Sequence, residues 1–495
     1  MKLSKYIEKC YNIYYIINLF KDGFLPMIKS FFYRLFSCEY MVKPCDFKGT
    51  MPSTKDGYST TLKIAWPSIV EAVLVSLVAS VDTMMVGSIG PHAIASVGIT
   101  NQPRFILLAL ILSLNVGVTA VVARRKGAKD LKGANSCLKQ CIMISTLLGL
   151  VLSLVGIVSA RPLMTFAGAQ SDIIDTSVTY FRIIMVGMFF NSICLTINAA
   201  QRGVGNTKVS MRTNIAANLV NLVFNYFLIN GIGFFPELGV AGAGIATALG
   251  NIVAFFMAIK SIYKNTHFLD ITSKVPWRFD KKTISSVFNV SSSAMVEQVC
   301  LRLGFFIYAK MVASLGTVAF ATHQICMNIL NLSFGVGDGF SIAASSLVGQ
   351  SLGAKRPDKA TLYASITQRL ALVASTILFF IFIFGRNFLV SLFSTDAEII
   401  AQGATLLIII AFTTHAQTSQ LIISGCLRGA GDTKYVALTS FLSIAIVRPI
   451  LTWTLCFPVG WGLVGAWIAV FIDQTMRFFI TFIRFKGGKW TKIEL

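Results

Sequence analysis

Two carboxylates inside apolar runs are the first residues of this chain that could do chemistry. Asp82 lies in the run from Leu77 to Gly87, and Glu297 lies in the run that begins at Ser291. An ionisable side chain inside a membrane-spanning helix is costly, so it marks a binding or coupling site by default. Asp82 has no basic residue within one helical turn, which favours a functional carboxylate over an ion pair. Glu297 is interpreted in the same way.

A ladder of asparagines follows in a later apolar run. Its members are Asn214, Asn218, Asn221 and Asn225. The three steps between them are i+4, i+3 and i+4, so these side chains share one face of a helix. Hydrogen bonding between helices is the structural alternative, but four amides on one face favour a polar cavity. Together with Thr247, the amide oxygens could surround a sodium ion held by Asp82, and the same carboxylate could instead exchange a proton.

Two other groups of polar residues have different interpretations. Asp473 and Arg477 are spaced i, i+4, and Arg448 could join them, so we expect a mainly structural ion pair there. Gln417 and Gln420 lie in a later apolar run, where they are candidates for substrate contact or coupling.

An internal repeat organises the whole chain. Arg202–Lys208 (RGVGNTK) returns as Arg428–Lys434 (RGAGDTK), an offset of 226 residues (428 − 202). The same offset aligns Gly127-Ala-Lys with Gly353-Ala-Lys, Glu71 with Glu297, and Asn191 with Gln417, which makes Asn191 a further candidate. A constant offset over this length indicates a duplicated unit. The two copies fill roughly residues 43 to 495.

The composition indicates a membrane protein. Hydrophobic residues make up 55% of the chain and charged residues only 13%, and mean hydropathy is +0.71. Apolar runs of about 20 residues, which is the length of a bilayer-spanning helix, recur along the chain. We predict an all-α membrane protein with twelve transmembrane helices in two pseudo-twofold-related six-helix lobes. The predicted helices cover 62–86, 93–122, 135–159, 176–200, 209–232, 240–262, 284–311, 320–348, 361–385, 400–425, 435–457 and 463–484.

The predicted helices divide the chain into segments. Residues 59–265 form an N-lobe, 266–282 a cytoplasmic linker, and 283–495 a C-lobe with a basic tail. Residues 1–58 form an N-terminal extension, which is either an interfacial segment or a non-essential addition. Because each copy contributes an even number of helices, both enter the membrane from the same side.

Basic residues fix the orientation of the chain. The loops after predicted helices 2, 4, 6, 8 and 10 are rich in Lys and Arg, whereas the alternate loops offer little beyond Arg161 and Arg386. The positive-inside rule then places both termini and the basic loops in the cytoplasm of a cell membrane. The net charge of +22 is explained by these loops, so we expect membrane lipid and no nucleic acid as a partner.

Several other kinds of site are disfavoured. No HExxH pattern or triad spacing is present, so we predict no catalytic residue, no metal site, no cofactor and no enzyme activity. The two RGxGxTK loops resemble a phosphate-binding loop only loosely, and their glycines are expected to permit tight turns. With no ATP-using domain in the sequence, any transport must use a gradient.

Several motifs together resemble the multidrug and toxic compound extrusion (MATE) family over about residues 60–485. They are Trp66-Pro67-Ser68-Ile69, Val81–Gly87, Arg202–Lys208, Gly239–Thr247 and Arg428–Lys434. The resemblance implies a central cavity between two lobes and cation-driven export of amphipathic organic cations and drugs by alternating access. It also implies that Asp82 is a cation-binding carboxylate, that Asn221 and Thr247 belong to the same site, and that Glu297 matches a helix-7 glutamate of the NorM-like branch.

Two positions depart from that pattern. Asn225 stands where DinF-like members carry an aspartate, and Gln417 stands where NorM-like members carry one. Each lobe thus has one carboxylate fewer, which leaves Na⁺ and H⁺ both open as coupling ions, with sodium slightly preferred for its neutral oxygen ligands. The alternative is a lipid-linked sugar flippase of the same superfamily, whose cavity is typically rich in arginine. We expect an acidic, aromatic and Met-bearing cavity without an arginine cluster, and a monomer.

Overall fold

Long helices make up most of the computed structural model, which describes Ser30 and residues 33–43, 46–233, 235–263 and 268–493. Within these ranges, twelve long helical segments match the twelve predicted ones. They are α1 Thr54–Gly87, α2 Pro91–Gly127, α3 Leu131–Val158, α4 Ile174–Gly203, α5 Thr207–Asn230, α6 Gly239–Ser261, α7 Lys281–Ala313, α8 Thr317–Gly353, α9 Pro357–Phe384, α10 Ala397–Ala430, α11 Thr433–Cys456 and α12 Gly462–Lys486.

Helix boundaries differ from the prediction mainly at the start of α1. The helix begins at Thr54, eight residues before the predicted start at 62, because Ser53 caps it by accepting a hydrogen bond from the amide of Asp56. Asp280 caps α7 in the same way, and hydrogen bonds from the Thr283 hydroxyl and amide lower the pKa of the Asp280 carboxyl.

Eleven of these helices are long and apolar enough to cross a membrane, within the part of the chain that is described. The twelfth, α5, has 24 residues, which is sufficient length. The asparagine ladder lowers its apolar character. A spanning helix of this kind must turn its amides toward protein or an internal cavity.

Helix α11 is not a uniform α-helix. Phe441–Val447 forms a π-helical segment between Thr433–Ser440 and Arg448–Cys456. Pro449 has no amide hydrogen, so the ordinary bond to the carbonyl of Ala445 cannot form, and a π-segment accommodates the loss.

Each lobe repeats the same packing. In the N-lobe α2 packs on α4, α4 on α6, and α5 on α6, and in the C-lobe α8 packs on α10, α10 on α12, and α11 on α12. The first helix of each lobe also crosses to the other one, because α1 packs on α8 and α7 packs on α2. The predicted pair of six-helix lobes is confirmed.

The lobes meet at the end of the molecule that carries the basic loops. A Cβ on Gly127 would lie 1.8 Å from the Gln350 carbonyl oxygen, and one on Gly353 would lie 2.0 Å from that of Arg124. Residues 124 and 350 are also related by the repeat offset, so the contact is made twice. Only glycine allows the two backbones to approach this closely.

The RGxG motifs use their two glycines differently. Gly205 and Gly431 have φ of +84° and +87°, so they form the predicted tight turns. A Cβ on Gly203 would lie 2.8 Å from the Thr119 carbonyl oxygen, and one on Gly429 would lie 2.2 Å from that of Ser345. The first glycine of each motif therefore serves helix packing.

The described part of the N-terminal extension packs on the C-lobe. Cys38 and Val42 join Leu362 and Ile366 of α9 in one apolar cluster. The amide of Lys48 donates to Asp358 Oδ2 at 3.0 Å. Residues 1–29, on which the interfacial interpretation depends, lie outside the described residues.

Candidate functional site

Asp82 lines a small polar cavity within the N-lobe. This N-lobe cavity has a volume of about 180 Å³. Its walls come from α1, α2, α4, α5 and α6. The polar lining residues are Asp82, Arg104, Tyr180, Asn218, Asn221, Thr247 and Asn251. The cavity brings together four predicted residues, Asp82, Asn218, Asn221 and Thr247. It adds Arg104, Tyr180 and Asn251, which sequence reasoning did not select for this site.

Amides surround the Asp82 carboxylate. Asn225 Nδ2 donates to Asp82 Oδ1. The Asn221 amide lies between Asp82 Oδ1 at 3.3 Å and Thr247 Oγ1 at 3.1 Å, in the orientation that lets its nitrogen donate to Asp82. One carboxylate, two amides and a hydroxyl thus converge as the ladder predicts.

One oxygen at this site has no partner. Asn225 is fully buried, and its Oδ1 lacks a hydrogen bond among the described residues. A buried carbonyl oxygen without a donor costs free energy unless something satisfies it. Because the Asn225 nitrogen faces Asp82, the amide would have to turn for this oxygen to bind a cation beside that carboxylate.

Arg104 changes the electrostatic setting of Asp82. The sequence places no basic residue within a turn of Asp82, but α2 brings Arg104 to the same cavity. The two side chains form no ion pair within 4.0 Å in the described structure. The Asp82 carboxylate is therefore close to a positive charge and still available to a ligand.

The first residue of the ladder has a different role. Asn214 Nδ2 donates to Glu71 Oε1 at 2.6 Å, and Arg202 also binds that oxygen, at 2.7 Å. Ser210 Oγ also donates to Glu71 Oε1, at 3.1 Å. Only the rest of the ladder faces Asp82, while Asn214 supports a buried ion pair between α1 and the first RGxG motif.

Glu297 makes the equivalent ion pair in the C-lobe. Arg428 donates to Glu297 Oε1 at 2.5 Å, and Ser440 Oγ lies 3.5 Å from the same atom. In each lobe the glutamate and its arginine are 131 residues apart in the sequence. The RGxG arginines therefore reach into the protein to neutralise a glutamate, which the interpretation of these loops as turns had not included.

Glu297 lines a second cavity, of about 370 Å³, within the C-lobe. We call it the C-lobe cavity. Its polar lining residues are Glu297, Gln298, Arg302, Asn331, Asp338, Gln420, Arg428 and Arg477. Gln420 lies here as predicted and donates to Ser424 Oγ at 2.9 Å. The expectation of a cavity without an arginine cluster is wrong, because helices distant in sequence bring three arginines together.

A third cavity, of about 240 Å³, lies between the lobes. This central cavity is lined by Asn115 and Arg202 of the N-lobe and by Ser341 and Arg428 of the C-lobe. Arg428 and Gln298 line both this cavity and the C-lobe cavity. The two spaces are thus adjacent.

Three predicted residues are not among those that line these three cavities: Asn225, which contacts Asp82 directly, and Gln417 and Asn191. Gln417 is fully buried, and neither its Oε1 nor its Nε2 has a hydrogen-bond partner in the described part of the chain. Asn191, its repeat mate, is half-buried on α4. The structure therefore does not bring Gln417 and Asn191 into contact with Asp82 or Glu297.

The predicted ion pair around Asp473 is present, with Arg448 as its main partner. Arg448 and Ser443 both bind the Asp473 carboxylate. Arg477 Nε lies 3.8 Å from Asp473 Oδ2, and all three charged side chains are buried. No group of three or more His, Cys, Asp or Glu side chains that could hold a metal ion is found among the described residues.

Comparisons with known proteins agree with this architecture. The sequence model of the MatE family matches residues 67–227 and 293–454. A probable multidrug resistance protein NorM from Thermotoga maritima is 27% identical over 434 residues, covering 87% of this chain and 92% of that protein. The multidrug resistance protein PmpM from Pseudomonas aeruginosa is 25% identical and covers 81% of this chain and 83% of its own.

Solved structures share the fold. An outward-facing multidrug resistance MATE family transporter superposes with a TM-score of 0.82 at 19% identity, covering 88% of this chain and 97% of that one. A point mutant of the Vibrio cholerae MATE transporter VcmN gives a TM-score of 0.82 at 16% identity with the same coverage. Because the family match covers both lobes, the chain belongs to the MATE family and is a multi-pass membrane transporter, not an enzyme.

Proposed function

We propose that the chain is a cation-coupled antiporter that exports amphipathic organic cations and drugs by alternating access. The observation that carries this proposal is the Asp82 site, where two amides and a hydroxyl converge around a carboxylate that faces a cavity inside the membrane region. The names of the multidrug resistance relatives support the same substrate class.

Asp82 is the proposed coupling residue. A bound cation or proton neutralises the carboxylate, which changes the hydrogen bonds that Asn225 and Asn221 make to it. Those amides belong to α5, so the neutralisation can alter the packing of α1 on α5. A ligand shifts a conformational equilibrium only through its differential affinity for the two states, and repacking at Asp82 supplies that difference.

Sodium remains slightly preferred over protons. The unpartnered Asn225 Oδ1 and the Thr247 hydroxyl provide neutral oxygens of the kind that alkali cations bind. Arg104 opposes this preference because its charge repels a cation in the same cavity. The two effects on sodium binding have opposite signs, so the preference for sodium is small.

The decisive experiment uses purified protein in sealed vesicles. Export of ethidium is measured with a sodium gradient alone and with a pH gradient alone, for the wild type and for Asp82→Asn. We expect a sodium gradient to suffice and Asp82→Asn to abolish export. Full export by the variant would contradict the coupling role, and export driven only by the pH gradient would contradict sodium coupling.

The membrane arrangement is also part of the proposal. We infer a monomer in the cell membrane with both termini and the basic loops in the cytoplasm, with lipid as the surrounding partner. The contact between the lobes at the basic-loop end would then close the cytoplasmic side. A membrane-impermeant thiol reagent outside intact cells should label a cysteine placed at Glu237 but not one at Lys355, and strong labelling at Lys355 would reverse the topology.

A further inference from the structure

The C-lobe cavity contains arginines whose hydrogen-bonding capacity is incompletely used. Arg302, Arg428 and Arg477 all line it, and the Nε of each is buried without a hydrogen-bond partner among the described residues. Buried polar atoms in proteins are nearly always satisfied. Three arginines with unsatisfied donors around one cavity therefore favour a ligand that accepts hydrogen bonds, and such a ligand would meet the guanidinium of the half-buried Arg302 rather than the buried Nε atoms.

Arg302 is the most available of the three. Its guanidinium lies 4.5 Å from the centre of the Phe105 ring of α2 and makes no hydrogen bond or ion pair to another described residue. Arg428, in contrast, binds Glu297, and Arg477 donates to Gln474 Oε1 at 2.7 Å. The planar guanidinium of Arg302 presents a fork of donors that fits a carboxylate.

Asp338 contributes a negative charge to the same cavity. Its carboxylate is accessible from the C-lobe cavity and makes no hydrogen bond or ion pair within the described residues. The cavity lining thus holds three arginines and two carboxylates, Glu297 and Asp338, which leaves one positive charge in excess. This excess positive charge repels a simple organic cation, whereas a ligand with an anionic group would reduce the excess.

The remaining walls suit an amphipathic molecule. Leu301, Phe305, Met327 and Phe334 contribute apolar surface to the same cavity. Aromatic and methionine side chains give contact area without demanding one ligand shape. A ligand for this cavity therefore combines an apolar body with charged groups of both signs.

We propose that the C-lobe cavity is a binding site for zwitterionic amphipaths, whose carboxylate binds Arg302 with Arg428 and Arg477 nearby, and whose protonated amine binds Asp338. The proposal rests on the proposed export function and names a substrate class for it. Arg302 is the main determinant of specificity, since its guanidinium can bind the ligand carboxylate without breaking a hydrogen bond or ion pair to another described residue.

The test compares substrates that differ in one charge. A zwitterionic fluoroquinolone, its methyl ester and ethidium are exported from vesicles containing the full-length protein. Arg302→Gln should lower the export efficiency of the zwitterion about tenfold or more, because a charge-assisted bidentate bond is lost. Export of the ester and of ethidium should stay within about twofold of wild type.

Arg182→Gln provides a matched control. Arg182 is an exposed arginine of α4 outside the C-lobe cavity, so its removal tests the effect of losing a charge alone. Arg302→Lys keeps the charge but not the fork, and should recover only part of the zwitterion export. Asp338→Asn should weaken binding of the zwitterion, measured as Kd in nanodiscs, by about tenfold.

The outcomes separate the two proposals. Equal losses for the zwitterion, its ester and ethidium in Arg302→Gln would overturn the carboxylate site, as would unchanged export of the zwitterion. Failure of the wild type to export any of the three compounds would instead contradict the proposed export function. Binding of the zwitterion to such a wild type, lost in Arg302→Gln, would still support the site.

Discussion

The two lobes share a scaffold but differ at equivalent positions of their polar sites. The offset of 226 places Tyr308 where the N-lobe has Asp82, Asp473 where it has Thr247, and Leu451 where it has Asn225. In the N-lobe Asp82 and Thr247 line a cavity, and Asn225 donates to Asp82. In the C-lobe Asp473 is fully buried and held by Arg448, and Tyr308 is fully buried too.

The scaffold itself is preserved in both lobes. The Glu71–Arg202 and Glu297–Arg428 pairs have the same spacing and connect the same two elements. The duplication therefore kept the ion pair that ties the first helix of a lobe to its RGxG motif. The neighbouring polar site differs between the lobes. In the N-lobe it is a cavity beside which the Asn225 oxygen lacks a hydrogen bond among the described residues, and in the C-lobe it is a buried ion pair.

The sharpest test of this difference makes the same substitution in both lobes. Asp473→Asn leaves Arg448 and Arg477 buried without their carboxylate, and should destabilise the protein by about 3–5 kcal/mol. Asp82→Asn should change stability little, because its remaining oxygen can still accept from Asn225, while export is lost. Thermal unfolding in detergent and export from vesicles measure both effects. An Asp473→Asn protein that unfolds at the wild-type temperature would show that this ion pair does not stabilise the C-lobe, and would contradict the proposed difference between the lobes.

The two preserved ion pairs should differ in their tolerance of arginine loss. Among the described residues, Arg428→Gln leaves Glu297 with the long contact to Ser440 alone, at 3.5 Å. Arg202→Gln leaves Glu71 with Asn214 at 2.6 Å and Ser210 at 3.1 Å. Hydrogen bonds to a charged group contribute about 1.5–3 kcal/mol each, so Arg428→Gln should unfold at the lower temperature. The reverse order would show that the serine and asparagine do not stabilise Glu71.

The contact between the lobes can be weakened without touching either site. Gly127→Ala forces a methyl group against the Gln350 carbonyl, and overpacking of this kind costs about 1–3 kcal/mol. We expect a larger population with separated basic-loop ends, seen as longer distances between spin labels at positions 132 and 359. Gly98→Ala is the control, because a Cβ there meets nothing within 4 Å. Equal spin-label distances in both variants would show that the glycine contact does not hold the basic-loop ends together.

The smallest expected effects come from exchanging one residue between the lobes. Asn225→Leu introduces the residue found at position 451 and removes the amide beside Asp82, so sodium binding should weaken about tenfold. Asn225→Asp adds negative charge and should strengthen it. Isothermal titration with sodium, with Asn230→Leu on the exposed end of the same helix as control, measures both. Unchanged affinity in Asn225→Leu would exclude this amide from the cation site.

Much of the fold follows from local properties of the sequence. Helix number, the duplication and boundaries within a few residues could be predicted, because a bilayer-spanning helix is set by the length of its apolar run. The grouping of Asp82 with Asn221 and Asn225 could be predicted from helical spacing and the family resemblance. The early start of α1 and the π-helical segment of α11 could not, since they depend on a cap and on how a proline is accommodated.

The sequence by itself determined twelve helices, a repeated unit and a carboxylate with amides in the first copy. The partners of Asp473 could be predicted, but only the tertiary structure decided those of the other buried charges. Glu297 looks unpaired in its own helix but meets Arg428, which is 131 residues away. Asp82 likewise gains Arg104 as a neighbour, and Arg302 joins Arg428 and Arg477 around one cavity. Helical periodicity tells which face a residue occupies but not which helix packs against that face, and buried charges interact mainly across helices.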